Sequence, residues 1–97
     1  IKFGLVNGNE LVLNETVLVH SSENISVSGS FYEESAKVKI EQHQKGKVYI
    51  LAANPHCILL NGNPPKENQV FWDSEKGALE IELSQGIYDV ELFFQAV

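Results

Sequence analysis

The sequence predicts an all-β chain folded as a two-layer antiparallel β-sandwich, jelly-roll or immunoglobulin-like, with about eight to ten short strands. Three observations predict it. Apolar residues alternate with polar ones in several segments, small turn-forming residues punctuate those segments, and no window shows the three-and-four spacing of an amphipathic helix. A barrel of the oligonucleotide-binding type is the second architecture that such a pattern permits, and the basic, aromatic face that such barrels use is missing.

Alternation is clearest in two places. Val38 and Ile40 are interleaved with Lys37, Lys39 and Glu41, and Leu79, Ile81 and Leu83 with Ala78, Glu80 and Glu82. Each set places one face inward and one face toward solvent. Turn residues set the boundaries of the rest. Asn7-Gly8 and Asn61-Gly62 suit type I′ hairpin turns, because both positions of that turn need positive φ. Asp73-Ser74-Glu75-Lys76-Gly77 reads as a type I turn closed by glycine, and Ser84-Gln85-Gly86 as a tighter version of it. Pro64-Pro65 cannot donate to a ladder, so 61–68 is expected to be a loop. The strands then fall at 2–6, 10–13, 16–20, 25–28, 36–43, 46–52, 57–60, 69–73, 78–83 and 87–94. In the last of these, Tyr88, Val90, Leu92 and Phe94 share the core face.

The chain has 97 residues, 43% of them hydrophobic and 21% charged, which suits a single folded domain over 1–97. It begins Ile1-Lys2-Phe3 and contains no Met, so it is expected to be a fragment of a longer protein or a processed chain. Net charge is −6, and all seven basic residues are Lys. Without Arg or a basic cluster the chain lacks the groups that read phosphate, so nucleic acid is not an expected partner. No apolar stretch is long enough to span a bilayer, so no membrane insertion is expected.

Residues able to carry chemistry are scattered. His20, His43 and His56 show no ligand-pair spacing, so no metal site is expected, and no cofactor motif is present. Ser28-Gly29-Ser30 is not a nucleophile elbow. Glu33, Glu34, Asp73, Glu80 and Glu82 could in principle supply a glycosidase pair, yet Glu80 and Glu82 alternate with core residues as solvated strand positions do. The chain is therefore expected not to be an enzyme by itself. Cys57 lies in an apolar run and is expected to be a buried structural thiol. Asn14-Glu15-Thr16 and Asn24-Ile25-Ser26 match the N-glycosylation pattern and are expected to be unmodified surface segments.

Aromatic rings flanked by polar groups are the remaining handle, and Trp72, Tyr49 and Tyr32 are the candidate ligand-binding residues. Phe71 and Trp72 are adjacent in one strand, so one points inward and the other outward. If Trp72 is the outward one it can serve as a platform; if not, it is a core residue.

The segments Ile58-Leu59-Leu60-Asn61-Gly62-Asn63-Pro64, Phe71 through Ile81, and Gln85-Gly86-Ile87-Tyr88-Asp89-Val90-Glu91-Leu92 together resemble a known scheme. They are similar to the carboxy-terminal β-sandwich modules of polysaccharide-degrading enzymes, in particular polysaccharide lyases of the heparinase II/III kind and multi-domain glycoside hydrolases. That resemblance implies an extracellular or periplasmic, non-catalytic accessory domain. Its implied partners are a neighbouring catalytic domain of the same chain and a polysaccharide. The alternative is a protein-binding or adhesion module of immunoglobulin-like type, using a sheet edge or an exposed apolar face. Replacement of Leu92 by Ala should lower stability by about 2–5 kcal/mol in denaturant unfolding. A loss below about 0.5 kcal/mol would mean that the faces of the last strand are reversed.

Overall fold

In the computed structural model, which describes residues 2–13 and 15–95, regular structure is entirely β. The strands are β1 (Lys2–Leu13), β2 (Thr16–Phe31), β3 (Ser35–Gln42), β4 (Gly46–Leu51), β5 (Cys57–Leu60), β6 (Val70–Asp73), β7 (Ala78–Leu83) and β8 (Gly86–Phe93). All pair antiparallel in one sheet of order β5-β8-β3-β2-β4-β7-β6, with β1 alongside β2.

β1 pairs with both ends of β2, so β3 and β4 must share the opposite edge of β2. β3 takes Ile25–Phe31 and β4 takes Val19–Ser21, so the two act as one long strand broken at 43–45. All three long strands lose register at the same level. β1 moves two residues, from Gly8 to Glu10, while β2 covers five, from Ile25 to His20. The sheet bends there into two limbs. One limb holds β5, β8, β3 and the second half of β2; the other holds β6, β7, β4 and the first half of β2.

The bend curls the sheet around one apolar cluster that draws on both limbs. Val27, Val38, Ile40, Val90 and Leu92 enter it from the first limb, and Val19, Val48, Ile50, Leu79, Ile81 and Leu83 from the second, each almost wholly buried. Alternation creates this set directly, as β3 buries Ala36, Val38, Ile40 and Gln42 and exposes Lys37, Lys39 and Glu41.

The corner is polar. Ser21, only 1% exposed, donates its hydroxyl to the Glu23 carbonyl and accepts from the Glu23 N–H at 3.2 Å. Gln42, 2% exposed, donates Nε2 to the Gln44 carbonyl at 2.8 Å, and Gln44 in turn donates to the Glu23 carboxylate at 2.7 Å. Ser22 accepts the Lys47 N–H at 3.0 Å, which ties β2 to the start of β4. Gly46 sits under this knot. A Cβ there would lie 2.5 Å from Ser22 Oγ, 3.0 Å from Glu23 Cγ and 3.2 Å from Gln42 Nε2.

An expected hairpin and an expected tight turn are corrected by this arrangement. Asn7-Gly8 lies inside continuous β1, at its register shifts, so the segments 2–6 and 10–13 are one strand; 16–20 and 25–28 likewise merge into β2. Ser84-Gln85-Gly86 is a crossing and not a tight turn between neighbouring strands, because β7 pairs with β4 and β6 whereas β8 pairs with β3 and β5. It carries the chain from one limb to the other, with Gly86 at φ 151° and the Tyr88 hydroxyl donating to the Ser84 carbonyl at 3.1 Å. Asn61 and Gly62 do adopt the two positive φ values, 51° and 80°, of a type I′ turn. Asp73–Gly77 closes as expected, with Asp73 Oδ1 accepting from the N–H groups of Glu75 and Lys76 and with Gly77 at φ 62°.

Gly46→Ala should lower stability by about 1–3 kcal/mol through this crowding. Gly4→Ala, whose Cβ meets only the Val27 carbonyl at 3.7 Å, should stay within about 0.5 kcal/mol. Equal losses in denaturant unfolding would contradict the steric role of the corner.

Candidate functional site

The outward face of the second limb carries a row of side chains in register across five strands. Glu10 of β1 pairs with His20 of β2, His20 with Tyr49 of β4, Tyr49 with Glu80 of β7, and Glu80 with Phe71 of β6. Their inward neighbours, Val19, Ile50 and Leu79, are core, so the pleat forces the row outward. Beside it lies a hollow of about 350 Å³ lined by Val17, Leu18, His20, Tyr49, Leu51 and Lys76 with Ala78. Leu18, Leu51 and Ala78 form an apolar floor, and the polar groups rise at the rim.

The rim is electrostatically interlocked. The ammonium of Lys76 stands 5.1 Å from the centroid of the Tyr49 ring, in cation–π range. The His20 ring lies 6.0 Å from the Tyr49 ring at 32°, with its Nδ1 3.8 Å from the Glu10 carboxylate. Glu80 is 3.8 Å from the Lys47 ammonium. The Tyr49 hydroxyl donates to Glu80, and that bond is the main reason its pKa is held above the usual tyrosine range. Desolvation and the negative charges of Glu80 and Asp73 push the same way. Tyr49 therefore stays a neutral phenol, suited to hydrogen bonding and not to proton abstraction.

The three aromatic candidates do not come together. Trp72 opposes Leu79 on the inward side, packs against the core and donates its indole N–H to the Ala52 carbonyl at 2.9 Å. Of the adjacent pair, Phe71 is the exposed ring, at 61%. Tyr32 is 58% exposed, but it borders a shallow polar depression on the first limb with Ser28, Ser30, Lys37, Lys39, Asp89 and Glu91. Tyr49 alone sits at the hollow. His20 and Lys76 are the residues that sequence reasoning missed there; His20 two positions from Leu18 on β2, and Lys76 in a turn, give no linear sign that they converge on Tyr49.

Other expected residues fall into place around this. Cys57 is exposed on edge strand β5, which corrects the expected buried thiol: Ile58 and Leu60 take the inward positions and leave Cys57 outward. His20, His43 and His56 are all exposed. Among the described residues no cluster of His, Cys, Asp and Glu could hold a metal ion, and no helix is long and apolar enough to cross a membrane. Asp73 and Glu80 both act on Tyr49, whereas Glu33 and Glu34 lie in the β2–β3 turn of the other limb. Asn24 is exposed at the corner, and Asn14 lies outside the described residues.

Comparison of the chain with protein-family models, with curated proteins and with solved structures returns no match. The geometry of the hollow thus carries the functional argument.

Because Glu80 is the first cause of the Tyr49 shift, Glu80→Gln should bring the titration of the Tyr49 ring resonance back down toward the usual midpoint of about 10. An unchanged midpoint would remove Glu80 as its partner. The stability that this bond contributes is full below the unfolded tyrosine pKa and is lost as pH rises through the higher folded value.

Proposed function

We propose that the chain is a non-catalytic accessory module of a larger, extracytoplasmic carbohydrate-active protein, and that it contacts glycan through the Tyr49 hollow. The parent would be a polysaccharide lyase of the heparinase II/III kind or a multi-domain glycoside hydrolase, with catalysis in a neighbouring domain. In this reading the two limbs serve as the two layers of a sandwich whose outer faces are available to that domain and to the glycan.

The observation that carries the reading is the composition of the hollow. A tyrosine ring stands over an apolar floor of Leu18, Leu51 and Ala78, which suits the C–H face of a sugar ring. His20 and Tyr49 bring polar atoms to the same lining, suited to meet hydroxyl groups. Its volume of about 350 Å³ falls at the lower end of the roughly 300–1,000 Å³ common for small-ligand sites. Strongly acidic glycans fit poorly, since the chain carries a net charge of −6 and Glu10 and Glu80 flank the ring, which favours the glycoside hydrolase over the lyase as parent because lyases cleave uronate-bearing chains.

One observation favours a protein partner as the second reading. Val17, on the lip of the hollow, is 42% exposed, and its neighbour Val12 on β1 is 50% exposed, so apolar surface continues beyond the hollow.

Titration of the isotopically labelled chain with neutral, acidic and amino-bearing oligosaccharides separates the two. Glycan contact should shift the amides of His20, Tyr49, Leu51 and Ala78. Tyr49→Ala should abolish those shifts, while Tyr32→Ala and Trp72→Phe leave them. If no oligosaccharide moves these resonances, the glycan reading falls and the protein-binding one takes its place.

A further inference from the structure

Resting on the glycan reading, we propose that the Tyr49 hollow selects amino sugars, and that Lys76 occupies the position that a protonated sugar amine takes when glycan binds.

The argument begins with what already lies on the ring. An alkylammonium, that of Lys76, stands 5.1 Å from the Tyr49 centroid. Its backbone belongs to the exposed β6–β7 turn, fixed by Asp73 through main-chain N–H groups, so the side chain can swing away without disturbing the turn. The ring is thus a cation acceptor whose natural occupant is tethered and exchangeable.

Charge around the ring extends the point. Glu10 reaches it through His20, Glu80 bonds its hydroxyl, and Asp73 acts on it from the next strand pair. Against these three carboxylates stand two ammonium groups, Lys47 on Glu80 and Lys76 on the ring. When Lys76 leaves, one ammonium faces three carboxylates, and a second cation is drawn in. A uronate or sulfated unit meets the opposite field.

The rest of the hollow asks for more than a bare cation. Leu18, Leu51 and Ala78 give the hollow of about 350 Å³ an apolar lining that a pyranose ring can cover, while His20 and the Tyr49 hydroxyl meet its hydroxyl groups. A glycan of 2-amino-2-deoxyhexose units supplies both parts in one residue. A lysine-rich peptide supplies the ammonium without the ring.

The test compares oligomers of glucosamine with their fully N-acetylated counterparts, at low salt and at a pH where the free amines are protonated. The free-amine oligomer should shift the amides of His20, Tyr49, Leu51 and Ala78 at about tenfold lower concentration than the acetylated one. Lys76→Ala should tighten that binding several-fold by removing the internal competitor, and added salt should weaken it. Equal binding of both oligomers, or weaker binding by the Lys76 variant, overturns the amino-sugar assignment while leaving glycan binding in place. If neither oligomer binds and an oligolysine peptide shifts the same resonances, both the assignment and the glycan reading are overturned.

Discussion

The corner at Ser21–Asn24 and 43–45 is the constraint on which the rest of the molecule depends. A sheet of eight strands with one apolar face must cover that face, and no helix is present among the described residues to do so. Bending three long strands at one level lets the sheet cover itself. The bend interrupts ladder hydrogen bonds, and Ser21, Ser22 and Gln42 satisfy backbone groups there from their side chains. Gly46 supplies the space these side chains need. Polar residues are buried at this bend because the backbone there requires partners, and apolar ones could not satisfy it.

From the corner outward, parity does the remaining work. Once Val19, Val48, Ile50, Leu79 and Ile81 face the core, the residues between them have no choice of side. His20, Tyr49 and Glu80 are thereby set in one row, with Phe71 at its end, by the same pairing that builds the core. The hollow is therefore held by rigid strands on one side and by a turn residue, Lys76, on the other.

Much of this was legible in the alternation. β3 and β7 read correctly because each has one buried and one solvated face, and Asn61-Gly62 and Asp73–Gly77 read correctly because their φ values leave little choice of residue. Asn7-Gly8 and Ser84–Gly86 were misread because the same small residues that make hairpins also make bulges and limb crossings. Local chemistry specifies that the chain turns and does not specify which strand it meets next. Cys57 was misread for a related reason: an apolar run on an edge strand still has an outward parity. The site was legible only as single residues, since Tyr49 and Tyr32 occupy different limbs and Lys76 reaches Tyr49 from a turn 27 positions away in the chain.

The separation of core and site by parity also bears on how the surface can carry function at all. Inward substitutions change packing that both limbs share, so their effects spread through the whole curl. Outward positions such as His20, Tyr49 and Glu80 touch mainly one another, and exposed charge pairs of this kind contribute little to stability. Their positions follow from the pairing that builds the core, while their identities add little to its stability. Beside Tyr49, Leu18 and Leu51 stay partly in contact with water, which costs more than a plain solvated face would. Outward residues of the second limb can therefore vary with little cost to the curl that carries them.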